Sequence, residues 1–169
     1  MRTGTEAVGP GKFQHGQIST RGVAKMPATR KTTLVLVDDE PVVVRVAKTI
    51  LERQLGNQLD IFHTTDSKAA RESLSRRRCD ILISDIEMPD IHGLEMLKVA
   101  RKCNAWTRVI FLTGHSTWDR LAEAIENGAA DYLLKPLDHD ELLQVVQQEC
   151  DRLRRWRGAV TNTMKLVAG

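Results

Sequence analysis

Four sets of polar residues stand just past four short apolar runs: Asp38-Asp39-Glu40 after residues 34–37, Asp85 after 81–83, Thr113 after 109–112, and Lys135-Pro136 after 132–134. If those runs are parallel strands of one sheet, all four sets lie along a single edge of it. Carboxylates, a hydroxyl and an ammonium gathered there have the chemistry of a site for Mg2+ and phosphate. Three carboxylates packed together repel one another and raise each other's pKa unless a cation reverses that preference. Oxygen donors, some from water, select Mg2+ over softer metals. Asp39 and Asp85 are the expected direct ligands, with Asp38 acting through water. A bland reading of the triplet also exists, since the N-terminus of a helix favours negative charge on its own.

Asp85 leaves its apolar run into a loop that bends at Pro89 and Gly93. A carboxylate so placed is expected to be exposed and able to attack a phosphorus atom, while a metal beside it neutralises both the acid and the incoming group. An aspartyl phosphate then needs positive charge and hydrogen bonds on its oxygens. Lys135 can supply the first and Thr113 the second.

The elements that must position these residues follow from periodicity. The run at 34–37 is apolar and β-branched, of strand length. A helix begins at Pro41 behind the acidic triplet and carries the stripe Val43, Val46, Ala47, Ile50 and Leu51 to about Leu55. A strand at 59–63 precedes a helix at 67–75 capped by Asp66. The strand at 81–84 is followed by a helix from Gly93 with Leu94, Leu97, Val99 and Ala100 inward. The strand at 109–112 is followed by a helix at 117–127, with Leu121, Ala124 and Ile125 inward and Gly128 as its stop. The last strand, at 132–134, leads to a helix with Asp138 and Glu141 as a capping pair, its stripe running from Leu142 to Trp156 and its end near Arg157. Five strands each followed by a helix, with short connections, predict a doubly wound α/β fold around a five-stranded parallel sheet. The order 2-1-3-4-5 makes the first and third strands neighbours at the switch point, where Asp38, Asp39 and Asp85 converge.

The 169 residues suit one globular domain with short appendages. Residues 1–31 are rich in Gly and Pro without apolar periodicity, and are expected to form a disordered basic leader, with Met26 as an alternative start. The domain spans 32–151, and 152–169 are read as the basic end of the last helix and a flexible tail. The formal charge of +3 divides into +5 over 1–31, −6 over the middle and +4 over 151–169. The Arg residues at 152, 154, 155 and 157 are expected to be a solvated helix end, so nucleic acid is not expected as a partner. No long apolar run or signal peptide is present, and a cytoplasmic location without membrane contact is expected. Cys79, Cys103 and Cys150 lack a CxxC and read as reduced, partly buried residues, and the five scattered His residues predict no zinc site.

Asp38-Asp39, the segment Asp85-Ile86-Glu87-Met88-Pro89 leading to Gly93, Thr113-Gly114 and Lys135-Pro136 together resemble the receiver domains of two-component response regulators, in order and in spacing, over roughly 33–151. The resemblance implies a flavodoxin-like fold and a signalling phosphoacceptor rather than an enzyme in the ordinary sense. It implies that Asp85 takes a phosphoryl group from a sensor histidine kinase or a histidine phosphotransfer protein. Mg2+ would be held by Asp39, Asp85 and the backbone carbonyl of Glu87, and Lys135 would pair with the phosphoryl oxygens. It further implies a cis peptide at Lys135-Pro136 and a switch pair, Thr113 and Tyr132. Tyr132 would turn inward as the Thr113 hydroxyl moves toward the phosphate, remodelling a surface that serves a downstream protein effector or a phosphorylation-dependent homodimer. Glu87 and His115 would flank the path of an attacking water and tune the lifetime of the phosphate. A flavin-binding domain of similar topology would need a hydroxyl- and Gly-rich first loop, where this chain has three acids. The rival of a different class is an adaptor on the same fold that works without phosphorylation.

Overall fold

The computed structural model describes residues 30–114 and 117–167. The expectations for His115 and for residues 1–29, Met26 included, lie outside the described residues. The elements in chain order are β1 (Thr32–Val37), α1 (Pro41–Leu55), β2 (Leu59–Thr64), α2 (Ser67–Arg76), β3 (Ile81–Asp85), α3 (Gly93–Cys103), β4 (Arg108–Thr113), α4 (Trp118–Glu126), β5 (Asp131–Leu134) and α5 (His139–Val167). The five strands pair in parallel in the order β2-β1-β3-β4-β5.

Side chains alternate along the central strands β1, β3 and β4 between two buried faces, as a sheet covered on both sides requires. Leu34, Leu36, Ile81, Ile83, Ile110 and Leu112 pack under α1 and α5, where Ala47, Leu51, Leu142 and Val146 meet them. On the other face Val35, Val37, Leu82, Val109 and Phe111 pack under α2, α3 and α4 through Ala70, Leu74, Met96, Leu97 and Ala124. This core fixes the four strand ends that carry the polar sets.

Caps account for several helix starts. Asp66 accepts hydrogen bonds from the amides of Lys68 and Ala69, and Asp138 accepts one from that of Glu141. At α1 the acidic triplet, which would be expected to cap a helix starting at Pro41, forms no side-chain cap. Glu40 occupies the cap position without a side-chain bond to the helix, and its carboxylate is drawn instead to Lys135.

Four helices differ from the periodic reading, three in their faces and one in its length. In α1, Val44 is buried and Val46 is exposed, because the helix turns its Val44–Ala47–Leu51–Leu55 stripe to the sheet. In α3 the face is shared with Met96, which is fully buried, while Val99 lies at its margin. In α4 only Ala124 is buried and Ile125 is 63% exposed, so that this helix rests on the sheet by one small residue. The fourth is α5, which continues well past Arg157 to Val167. Gly158 is the weakest helix former on the way, and the hydroxyls of Thr161 and Thr163 bond to carbonyls four residues back.

In the basic stretch of α5, Arg152, Arg154 and Arg155 are exposed as expected, but Arg157 is not. Arg157 is buried and ion-pairs with Asp80 at 2.7 Å, Arg154 pairs with Asp151 at 3.0 Å, and Trp156 stacks edge-on against Trp106 with ring centroids 5.8 Å apart. Asp80, just before β3, also takes Arg30 on both carboxylate oxygens at 2.7 Å, Arg78 at 3.1 Å and the amide of Thr33 at 3.0 Å. Residues 30 and 31 are thereby attached to the domain, Lys31 through the carbonyl of Gly56 at 2.8 Å. Cys79 and Cys150 are buried, whereas Cys103 is exposed. Among the described residues no helix is long and apolar enough to cross a membrane.

Candidate functional site

The C-terminal ends of β1, β3, β4 and β5 bring the four polar sets together at one edge. Asp38 follows β1 and is fully buried; its Oδ1 accepts a hydrogen bond from the amide of Glu40 at 2.9 Å. Asp39 is exposed beside it. Asp85 ends β3. It is only 5% exposed, which corrects the expectation of an open carboxylate, and its Oδ1 accepts from the amide of Glu87 at 3.2 Å. Carboxylate oxygens of Asp38, Asp39 and Asp85 all lie within 4.8 Å of one another.

Lys135 reaches across from β5 and is the cation that holds this cluster. Its Nζ stands 2.7 Å from Asp38 Oδ2, 2.8 Å from Glu40 Oε1 and 2.9 Å from Asp85 Oδ2. Burial works against the charge of Lys135, but hydrogen bonds to Asp38, Glu40 and Asp85 outweigh it and hold its pKa above the ordinary value. Burial likewise pushes the Asp38 carboxyl up, opposed by Lys135 and the Glu40 amide. Four carboxylates thus face one ammonium, an electrostatic imbalance that a second cation would relieve. The peptide between Lys135 and Pro136 is cis, and the Lys135 amide donates to the Thr113 carbonyl at 2.7 Å, which ties the end of β5 to that of β4.

Thr113, at the end of β4, is buried. Tyr132 packs against the cluster under α3 and α4, with its hydroxyl already out of solvent and without a hydrogen-bond partner. An inward turn of the ring from solvent is therefore not what this geometry leaves to be done. The loop between β3 and α3 is held by Gly93, whose amide donates to the Ile86 carbonyl at 2.8 Å. A Cβ at that position would overlap the Asp85 carbonyl and stand 2.8 Å from Ile86 Cα. Gly93→Ala is expected to cost about 1–3 kcal/mol, since backbone rather than a flexible side chain must yield. Denaturant unfolding checks this, and a midpoint equal to wild type would show that the loop moves freely.

Sequence reasoning missed two residues of this region. Glu40 belonged to the noted triplet, but its bond to Lys135 depends on how far the lysine reaches. Arg120, on the first turn of α4, ion-pairs with Glu87, and neither spacing nor composition signals that contact.

The geometry coincides with a known family. Residues 34–147 match the response regulator receiver domain, and the chain belongs to that family. It is 33% identical over 126 residues to the DNA-binding transcriptional regulator NtrC of Proteus hauseri, a match covering 74% of this chain and 26% of that protein. It is 36% identical over 110 residues to the alginate biosynthesis transcriptional regulatory protein AlgB of Pseudomonas putida, covering 64% of this chain and 24% of the relative. The chain thus spans about a quarter of the length of these relatives. Among solved structures, the signal receiver domain of an HD domain-containing protein from Pseudomonas fluorescens superposes with a TM-score of 0.66 at 27% identity, covering 73% of this chain and 97% of that one. A response regulator receiver domain from Clostridium thermocellum gives 0.66 at 25% identity, covering 74% and 98%. The fold is the flavodoxin-like receiver fold.

Proposed function

We propose that Asp85 is the phosphoacceptor of a two-component relay, taking its phosphoryl group from a sensor histidine kinase or a histidine phosphotransfer protein. The observation that carries this reading is the placement of Asp85 at the end of β3, with Lys135 Nζ at 2.9 Å and the oxygens of Asp38 and Asp39 within 4.8 Å. An all-oxygen donor set of this kind fits a hard divalent cation. Asp39, Asp85 and the backbone carbonyl of Glu87 would hold Mg2+, with Asp38 acting through water because both its oxygens are already engaged by Glu40 and Lys135. Bound there, the ion supplies charge neutralisation for the carboxylates and the phosphoryl oxygens.

In the reaction a carboxylate oxygen of Asp85 attacks phosphorus, the P–O bond to Asp85 forms, and the bond from phosphorus to the donor nitrogen breaks, leaving the donor imidazole. Lys135 exchanges its contact with Asp85 for one with a phosphoryl oxygen, and Thr113 donates its hydroxyl to another. Thr113 and Tyr132 then act as the switch, altering the face formed by α4, β5 and α5. A groove of about 510 Å³ on that face, lined in part by Leu121, Ile125, Tyr132 and Leu134, is where a downstream effector or a second copy would dock. The role is signalling, with self-catalysed transfer and hydrolysis only, and the setting we propose is the cytoplasm. The adaptor alternative, independent of phosphate, uses the same face. Incubation with acetyl phosphate and Mg2+ separates the two: intact mass should rise by one phosphoryl group in wild type and stay unchanged in Asp85→Asn. Equal labelling of both would remove Asp85 from the role, and no labelling of wild type would favour the adaptor.

A further inference from the structure

The stripe by which α5 packs on the sheet does not stop where the domain does. Leu153 and Arg157 are the last buried residues of the helix, yet it continues to Val167. Over that overhang Trp156, Ala159, Val160, Thr163, Met164 and Val167 recur three and four residues apart, so they share one face and line a groove of about 470 Å³. Trp156 is 54% exposed and Val167 83%, and Trp106, edge-on to Trp156 and itself half exposed, extends this apolar surface onto the domain. The charges around it are of one sign. Residues 152–167 include no acid, and Arg152, Arg154, Arg155 and Lys165 are exposed. A turn of about 100° per residue sets Arg152 in line with the stripe and Arg155 along its flank, with Arg154 and Lys165 on the far side of the helix.

We propose that this overhang docks an acidic amphipathic helix of another protein, apolar face against apolar face, with carboxylates of the partner opposite Arg152 and Arg155. A contiguous apolar patch on a free helix marks a surface that a partner covers, and a helical stripe is matched by a second helix whose anchors recur at the same spacing. The sign of the neighbouring charge selects which helix. Two copies joined by this stripe would bring together segments that are each +4 over 151–169, and residues 1–31 carry +5, so like charges oppose both of those occupants. A nucleic-acid backbone is met by cations along the contact face itself, whereas here that face is apolar and the cations stand around it. Trp106 precedes β4, which puts the groove at the end of the sheet away from Asp85, and a helix bound there leaves the acid cluster open.

The test uses the full chain and two labelled synthetic peptides of about three heptads, identical in their leucine stripe, with Glu at the flanking positions of one and Lys at those of the other. Binding is followed by fluorescence anisotropy for wild type, Val160→Gln/Met164→Gln and Arg152→Glu/Arg155→Glu, with thermal melts to confirm that each is folded. Wild type should bind the Glu peptide about tenfold more tightly than the Lys peptide at low salt, and added salt should narrow the gap. Val160→Gln/Met164→Gln should lose about tenfold for the Glu peptide through the apolar surface removed, and Arg152→Glu/Arg155→Glu should invert the order of the two peptides. Equal affinity for both peptides in wild type, no binding of either, or undiminished binding by Val160→Gln/Met164→Gln would overturn the proposal. So would a wild-type dimer in sedimentation that Val160→Gln/Met164→Gln abolishes, which would make a second copy the occupant. Capture of wild type by phosphatidylglycerol vesicles without binding to the Glu peptide would assign the stripe to a lipid surface and overturn it equally.

Discussion

Replacing Asp80 by Asn is expected to destabilise the domain by about 3–5 kcal/mol, the usual cost of breaking a buried ion network from one side. Asp80 is 1% exposed and carries the only carboxylate in contact with Arg30, Arg78 and Arg157 at the base of β3 among the described residues. Arg157 is itself 7% exposed, so the substitution leaves a guanidinium buried without its counter-charge. For a chain of this length that loss lowers the melting temperature by roughly 10 °C. The pH dependence follows from the direction of the carboxyl's shift. Burial raises the pKa of Asp80, but the Thr33 amide and Arg157, with Arg30, more than offset it and hold it below 3.8. A depressed pKa contributes stability that is present above the unfolded value and is lost as pH falls through the folded one. Wild type should therefore lose this share below about pH 4, and Asp80→Asn should lack that limb of the acid unfolding curve. Identical melts of the two proteins at neutral pH would show that the network is ornamental.

Replacing Asp39 by Ala should weaken Mg2+ binding by well over tenfold, a loss above roughly 1.4 kcal/mol. The asymmetry between the two adjacent acids supports the choice. Asp38 is buried with its oxygens engaged by the Glu40 amide and Lys135, whereas Asp39 is exposed at the mouth of the cluster. Calorimetric titration is the suitable measurement, because Trp106 stacks on Trp156 just ahead of β4, at the end of the strands away from the acids. An unchanged affinity in Asp39→Ala would remove it from the ligand set, and a larger loss in Asp38→Ala would exchange the two roles.

The order of the strands and the four polar sets were legible in the sequence because both depend on local signals. Short apolar runs ending in Asp, Thr or Lys, separated by helix-length stripes, leave few parallel topologies. What stayed hidden depended on contacts between distant segments. Val44 and Val46 are equally apolar, and only the seat of α1 on the sheet decides that Val44 faces inward. Arg157 reads as one more arginine in a basic run until Asp80, 77 positions earlier in the chain, is seen beneath it. The end of α5 lies ten residues past the expected one at Arg157: the apolar stripe fades after Trp156, yet the glycine at 158 costs only about 1 kcal/mol relative to alanine, and the turns around it continue. Tyr132 was identified by position, but whether its hydroxyl faces solvent or the interior is a property of packing.

The central claim is that phosphate is carried as an acyl phosphate on Asp85, and borohydride trapping tests it most directly. Protein treated with acetyl phosphate and Mg2+ is reduced, digested and mapped by mass spectrometry. Borohydride converts an aspartyl phosphate to homoserine with release of phosphate, and leaves an unmodified carboxylate unchanged. Homoserine at position 85 alone, absent when Mg2+ is withheld, is the predicted result. Homoserine at Asp38 or Asp39, or phosphate retained elsewhere with Asp85 intact, would contradict the account.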